Sequence, residues 1–321
     1  MSAVPTSARA PRIVVRHEII LAAILVVALI GLGRLNDRFL TVDNLLNQGR
    51  LMTEVGLIAL PMTFVIVTGG IDVSVGAMVG LCAIVLGYSW KNLGFPLPLA
   101  IVFSLGVGAA AGLANGLLIT RVRVPPIITT IATLTLFRGL AEGISQAHSV
   151  RGYPEWFYFL GQGAVFGVPT QLLILLVAIV VFGVALDRTS FGRTLYAIGS
   201  NETAARFSAL PVDRIKLAAY ALSGLMSGLS AFVLVSRVTT TRSDMGMGYE
   251  LDAIAAVVLG GTSIFGGSGT IWGTVIGLVM IQLLKNGLAL TGVKGDATIV
   301  VIGVVLIASV LIASSLQRRR E

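Results

Sequence analysis

The chain has 321 residues, of which 55% are hydrophobic and only 12% charged, and its mean hydropathy is +0.93. A soluble domain carries about 25% charge, so the composition excludes a water-soluble enzyme and leaves no length for a separate catalytic domain. The net charge of +8 would suit nucleic acid in a soluble protein, but most basic residues here flank apolar runs, where they set topology, and no nucleic-acid partner is expected.

The leader, residues 1–18, is basic and precedes an apolar run. Gly33, Arg34, Leu35 and Asn36 supply no small-residue cleavage site after that run, so the first helix is expected to be retained. Apolar segments of helix-spanning length follow at Ile19–Gly33, Leu51–Gly69, Ile71–Trp90, Pro96–Thr120 and Ile127–Gln146. A second set lies at Thr170–Leu186, Ile215–Arg237, Leu251–Phe265, Thr270–Leu290 and Ala297–Leu316. The sequence therefore predicts an all-α, polytopic membrane protein with about ten transmembrane helices and both termini cytoplasmic. Residues 19–316 form one transmembrane domain, broken by a cytoplasmic loop at 188–214 and closed by a basic tail at 317–321.

The basic residues fit that orientation. Arg9, Arg12, Arg16, Arg121, Arg123, Arg188, Arg193, Arg206, Arg214, Lys216 and Arg318–Arg320 fall inside, whereas the outer loops mix fewer cations with Asp37, Asp43, Glu155 and Asp244. Glycines four apart, such as Gly108, Gly112 and Gly116, Gly224 and Gly228, and Gly273 and Gly277, predict seams where helix backbones approach closely. The aromatic run Tyr153–Tyr158 reads as a short external segment at the headgroup level. Two double-glycine breaks, Gly69–Gly70 and Gly260–Gly261, echo one another and point to a transport pathway. The single cysteine, Cys82, permits no internal disulfide, and no metal-ligand spacing occurs.

Asp72 is the most telling intramembrane charge. With Ser74 it can cap the amides freed by the glycine break, or it can line the pathway. Other pathway candidates are Asn115, Thr129, Thr133, Gln282 and Asn286, each of which has an interhelical or back-bonding alternative. Glu54 reads as a solvated charge at a helix end. The chain has no P-loop with a Gly-Lys-Ser/Thr ending, so ATP drive would have to come from another subunit. In the loop at 188–214, Asn201 predicts the cap of a short helix reaching about Leu210, with Glu202 at its positive end. Ala204, Ala205, Phe207 and Leu210 give it a partly apolar surface beside Arg206, suited to a groove on a partner.

Four ordered stretches carry a resemblance: ALPMTFVIVTGGIDVSVGAMVGL, VPPIITTIATLTLFRGLAEG, GRTLYAIGSNETAARFSALPVDRIKLAAYALSGLMSGL and GYELDAIAAVVLGGTSIFGGSGT. From about Val42 to the last span the chain resembles the permease subunits of bacterial carbohydrate-uptake ABC transporters of the ribose type, and within them the rhamnose and autoinducer-2 permeases. The resemblance implies a bacterial inner-membrane protein that translocates a monosaccharide or related small polyol-like solute. It implies cytoplasmic ABC ATPase subunits that bind ATP and Mg, a periplasmic sugar-binding protein, a second permease subunit, identical or paralogous, and membrane lipid around the permeases. This chain itself would hold no cofactor and catalyse no reaction. The stretch Gly199–Leu210 matches the family's coupling helix, with Asn201, Glu202, Ala204 and Ala205 at the centre of the motif. Where the family shows glycine and isoleucine, this chain has Ala209 and Leu210. Arg242, Asp244 and Glu250 are candidates for docking the binding protein. The competing reading is a secondary transporter with Asp72 as its cation or proton site.

Overall fold

The computed structural model describes residues 17–292 together with positions 297, 300, 303 and 304. The leader up to residue 16, the basic tail, and the expected tenth span Ala297–Leu316 apart from those four positions lie outside the described residues. Of the described helices, six are long and apolar enough to cross a membrane: α2 (Val42–Val67), α4 (Leu97–Thr120), α5 (Pro126–Ser145), α7 (Thr170–Arg188), α10 (Val212–Val238) and α12 (Ile271–Leu290). Before α2 runs α1 (His17–Leu35), which holds a shorter apolar stretch at Leu21–Arg34. The fold is all-α apart from one small hairpin, β1 (Ala164–Val165) paired with β2 (Val168–Pro169).

Two expected spans become helices too short to cross a membrane. The segment Ile71–Trp90 becomes α3 (Val75–Lys91), 17 residues long, or about 25 Å at 1.5 Å per residue, short of the roughly 30 Å hydrocarbon core. The segment Leu251–Phe265 becomes α11 (Tyr249–Leu259), only 11 residues. Residues 71–74, after the left-handed Gly69 (φ 79°), stay outside α3, and α11 ends at the double glycine whose Gly261 is left-handed (φ 89°). Hydropathy reads through such breaks because glycine does not lower it enough to mark an end.

Helix α2 and helix α10 form the centre. Of their most apolar stretches 83% and 72% is buried, against 33%, 28% and 39% for α4, α5 and α7, which present apolar faces outward. The α4–α10 seam uses the glycine row: a Cβ on Gly112 would lie 3.0 Å from the Gly224 amide nitrogen, and one on Gly224 would lie 2.7 Å from that of Gly112. Gly277 sits equally close to Gly260 across the α11–α12 contact. Cys82 is fully buried under this seam, and its carbonyl accepts from Ser104 Oγ at 2.7 Å.

The aromatic run forms helix α6 (Glu155–Gln162), with Trp156 and Phe159 exposed and Phe157 buried. Tyr153 stacks between Trp90 and Phe157, with centroids 4.5 and 4.6 Å away. Gly161 packs against the backbone of Ser236 and Arg237, which places α6 at the far end of α10. At the near end of α10 lie two helices built from the polar loop, α8 (Ser190–Ser200) and α9 (Glu202–Phe207). Because α10 has 27 residues, about 40 Å separates the two ends.

Candidate functional site

The polar loop folds through two local caps. Thr189 accepts the Gly192 amide at 3.3 Å to start α8, and Asn201 accepts the Ala204 amide at 2.9 Å to start α9. The helix ends at Phe207, short of Leu210, because Ala209 turns left-handed (φ 58°) and reverses the chain. Alanine holds this left-handed turn at a cost of roughly 1–2 kcal/mol. Ala209→Gly is expected to raise the opening free energy of this segment in hydrogen exchange by about 1 kcal/mol; a loss of protection would show that the turn does not govern α9.

Ala205 is buried against Ile198 and Val212, with Leu210 packed at the margin. Ala204 is exposed, and Phe207 is 90% exposed, a large apolar side chain left facing outward. Glu202 accepts from Arg206 at 2.9 Å and from Lys216 of α10 at 2.5 Å, and Arg206 also bonds Asp213. Burial raises the Glu202 pKa, but the hydrogen bonds and charges of Lys216 and Arg206 outweigh it and hold the carboxyl below its usual value. The tie between α9 and α10 is therefore complete at neutral pH and is lost only as pH falls through that lowered value. Gly199 has no space for a Cβ, which would collide with the backbones of Val67 and Gly267. This contact locks α8 to the end of α2 and to the turn after α11, where the Gly267 amide donates to the Val67 carbonyl at 2.9 Å.

Above this base lies a buried polar cluster. Asp72 Oδ1 accepts from Ser74 Oγ at 2.6 Å, from the Ser74 amide at 3.1 Å and from Asn115 Nδ2 at 3.5 Å, while Oδ2 accepts from Ser223 Oγ at 3.0 Å. Asn115 Nδ2 also donates to Ser74 Oγ at 2.8 Å. Asp72 takes the Ser74 amide, but Ser74, at the N-cap of α3, makes no side-chain bond to the amides of that helix, and Asp72 is joined to α4 and α10 as well. All four residues are fully buried. Asn115 Oδ1 and the nearby Tyr220 hydroxyl have no hydrogen-bond partner.

The other pathway candidates lie apart from this cluster. Thr129 and Thr133 bond back to their own helix, at the Pro125 and Thr130 carbonyls, while the intervening Thr130 reaches the Ile71 carbonyl at 3.1 Å. Gln282 bonds Gln48 at 2.7 Å, and Asn286 exchanges two hydrogen bonds with Asn44, so both join α12 to the opposite end of α2. Of the docking candidates, Arg242 and Asp244 form an exposed ion pair. Glu250 turns inward, accepts the Gly248 amide at 3.2 Å and buries its Oε2.

Glu54 is not solvated as its sequence position suggested. It is fully buried and paired with Arg237 Nε at 2.7 Å, because α2 begins nine residues earlier than its apolar run and carries Glu54 into the bundle. Arg138 escaped notice as a site altogether. Its guanidinium, midway along α5, donates to the carbonyls of Ser243 and Met245 and, at 3.3 Å, of Gly76. It thereby pins the loop between α10 and α11 against the start of α3. A lone arginine within TLTLFRGLAEG was the available signal.

A family model described as branched-chain amino acid transport system / permease component matches residues 44–310. The autoinducer 2 import system permease protein LsrD of Escherichia coli (strain K12), of Shigella flexneri and of Escherichia coli O157:H7 is in each case 39% identical over 310 residues, covering 95% of this chain and 93% of the relative. No solved structure matches. With membrane-length helices, a capped polar loop and a match along most of its length, the chain belongs to this inner-membrane permease family, as a ribose-type permease component of an ABC importer.

Proposed function

We propose that this chain is one transmembrane half of an ATP-driven importer for a small polyhydroxylated solute of the autoinducer-2, ribose or rhamnose class, handed over by a periplasmic binding protein. The observation that carries the reading is the near full-length likeness to the autoinducer 2 import permeases. A second permease, identical or paralogous, completes the pathway, and ATP with Mg binds to cytoplasmic ATPase subunits. About ten segments cross the bilayer with both termini, the leader 1–18 and the tail 317–321, on the cytoplasmic side.

In this reading α9 is the coupling helix. Phe207 and Ala204 face the ATPase, and the Glu202–Lys216 and Arg206–Asp213 pairs fix α9 to α10. A push on α9 then moves α10 as a lever, and α10 carries Ser223 of the Asp72 cluster. Asp72, Ser74, Asn115, Thr129, Thr133, Gln282 and Asn286 are assigned to the pathway or its walls, and Arg242, Asp244 and Glu250 to the face that meets the binding protein. No step requires covalent chemistry in this chain.

Proteoliposomes containing the permeases, their ATPase and the binding protein are expected to accumulate labelled autoinducer-2, D-ribose or L-rhamnose only with internal or external ATP at the ATPase face. Accumulation driven by a proton or sodium gradient without ATPase would overturn the reading in favour of a secondary transporter centred on Asp72.

A further inference from the structure

At the end of the bundle opposite α9, the last turns of α3 and α5 and the strand-like segment at Val150 line a partly open cavity of about 220 Å³. Its polar wall includes Ser145 and Thr241, whose hydroxyls already bond the Glu142 carbonyl and the Val150 amide, together with four further side chains, Tyr88, Asn92, Gln146 and His148; its apolar wall includes Ile84 and Ile144. Among the described residues, none of those four polar side chains hydrogen-bonds to the protein. Each could meet a ligand without breaking an existing contact. No carboxylate, lysine or arginine lines the cavity, so nothing there compensates an ionised ligand.

The wall is built rather than incidental. Helix α5 stops at Ser145, and the chain then turns through two successive non-glycine residues in the left-handed region, Gln146 (φ 47°) and Ala147 (φ 60°). Such residues cost roughly 1–2 kcal/mol each and persist where surrounding structure fixes them. Here the His148 amide bonds the Ser145 carbonyl at 2.8 Å. Beyond it, Val150 and Thr241 exchange two hydrogen bonds, from the Val150 amide to Thr241 Oγ1 at 3.1 Å and from the Thr241 amide to the Val150 carbonyl at 3.0 Å. Both rim segments are thus held in place around the opening.

Drug-sized ligands occupy pockets of about 300–1,000 Å³, so this one has room for a single small ring and not for both rings of a disaccharide. An amide, a second amide, an imidazole and a phenol provide donors and acceptors for hydroxyls. The two isoleucines suit the C–H face of a sugar. We infer that this cavity is a receiving site for one neutral monosaccharide or linear polyol at the outer face of the permease. The inference rests on the transport reading for the sidedness and the class of solute, and the geometry supplies the location.

Thiol protection tests it in the assembled transporter. The only cysteine of this chain, Cys82, is fully buried, so His148→Cys introduces one accessible thiol into this chain at the rim, and labelling is read on this chain's band. A neutral site held by a few hydrogen bonds has a Kd of about 1 mM, and about 10 mM sugar then slows maleimide labelling about tenfold. D-ribose, L-rhamnose and ribitol are the probes, with sucrose as the oversized control. Protection by at least one probe and none by sucrose supports the site. Protection by no probe, or equal protection by sucrose, overturns it. If His148→Cys does not assemble, Asn92→Cys at the exposed end of α3 carries the same comparison. ATP-dependent uptake by the unmodified transporter is measured in parallel: uptake without thiol protection removes this site and leaves the transport reading standing, whereas protection without uptake does the reverse.

Discussion

Arg237→Leu is expected to destabilise the permease by about 3–5 kcal/mol, the cost of leaving a buried charge without its partner. Glu54 has no exposed surface, and its Oε2 already lacks a hydrogen bond, so Arg237 at 2.7 Å is its one compensating charge in the structure. The backbone around Arg237 is independently fixed, because Gln162 Nε2 donates to its carbonyl at 2.9 Å and Ser236 Oγ donates to the Phe157 carbonyl. The loss should therefore come from the carboxylate and not from a displaced α6. Glu54→Leu combined with Arg237→Leu removes both charges and should recover most of the stability, since apolar replacement of a buried pair is often neutral or better. Thermal unfolding of the purified assembly in detergent reads both variants. A double variant no more stable than Arg237→Leu alone would show that packing, not charge, is what Arg237 contributes.

Glu202→Lys is expected to abolish coupling while leaving membrane insertion intact. The substitution places a third cation beside Lys216 and Arg206, where Glu202 now accepts from both, so the tie between α9 and α10 becomes repulsive. Coupling between distant sites is typically about 1–3 kcal/mol, and uptake should fall by about 5- to 150-fold while ATP hydrolysis by the assembly continues. Glu202→Gln keeps an acceptor without the charge and should fall between the two. The pH arm follows from the lowered Glu202 pKa: uptake should show no contribution from this group between pH 8 and 6 on the usual carboxylate scale, and should weaken only under stronger acid. Unchanged uptake in Glu202→Lys at the same membrane abundance would remove α9 as the force-receiving element.

The membrane class, the approximate placement of the long helices, the glycine seams and the cap of α9 were all determined by the sequence. Each depends on composition or on residues within one helical turn. Asn201 and Ala204 are three positions apart, so the hydrogen bond between them is a local property. The short lengths of α3 and α11 were not legible because apolar residues beside the glycine breaks, such as Ile71, Val73 and Ile264, keep hydropathy high through backbone that is not helical.

Only the tertiary structure decided which polar groups meet. Asp72 and Ser223 are 151 residues apart, Glu54 and Arg237 are 183 apart, and Arg138 reaches Met245 across 107. Where lipid supplies no hydrophobic drive between helices, a buried polar side chain is satisfied by whichever helix face turns toward it. For α4 and α10 that rotation is set by close backbone packing at Gly112 and Gly224, not by the chemistry of the polar residue itself. Hence Glu54 reads in sequence as an end-of-helix charge and proves to be a buried partner. Arg138 reads as part of an apolar run and proves to hold a loop to a broken helix.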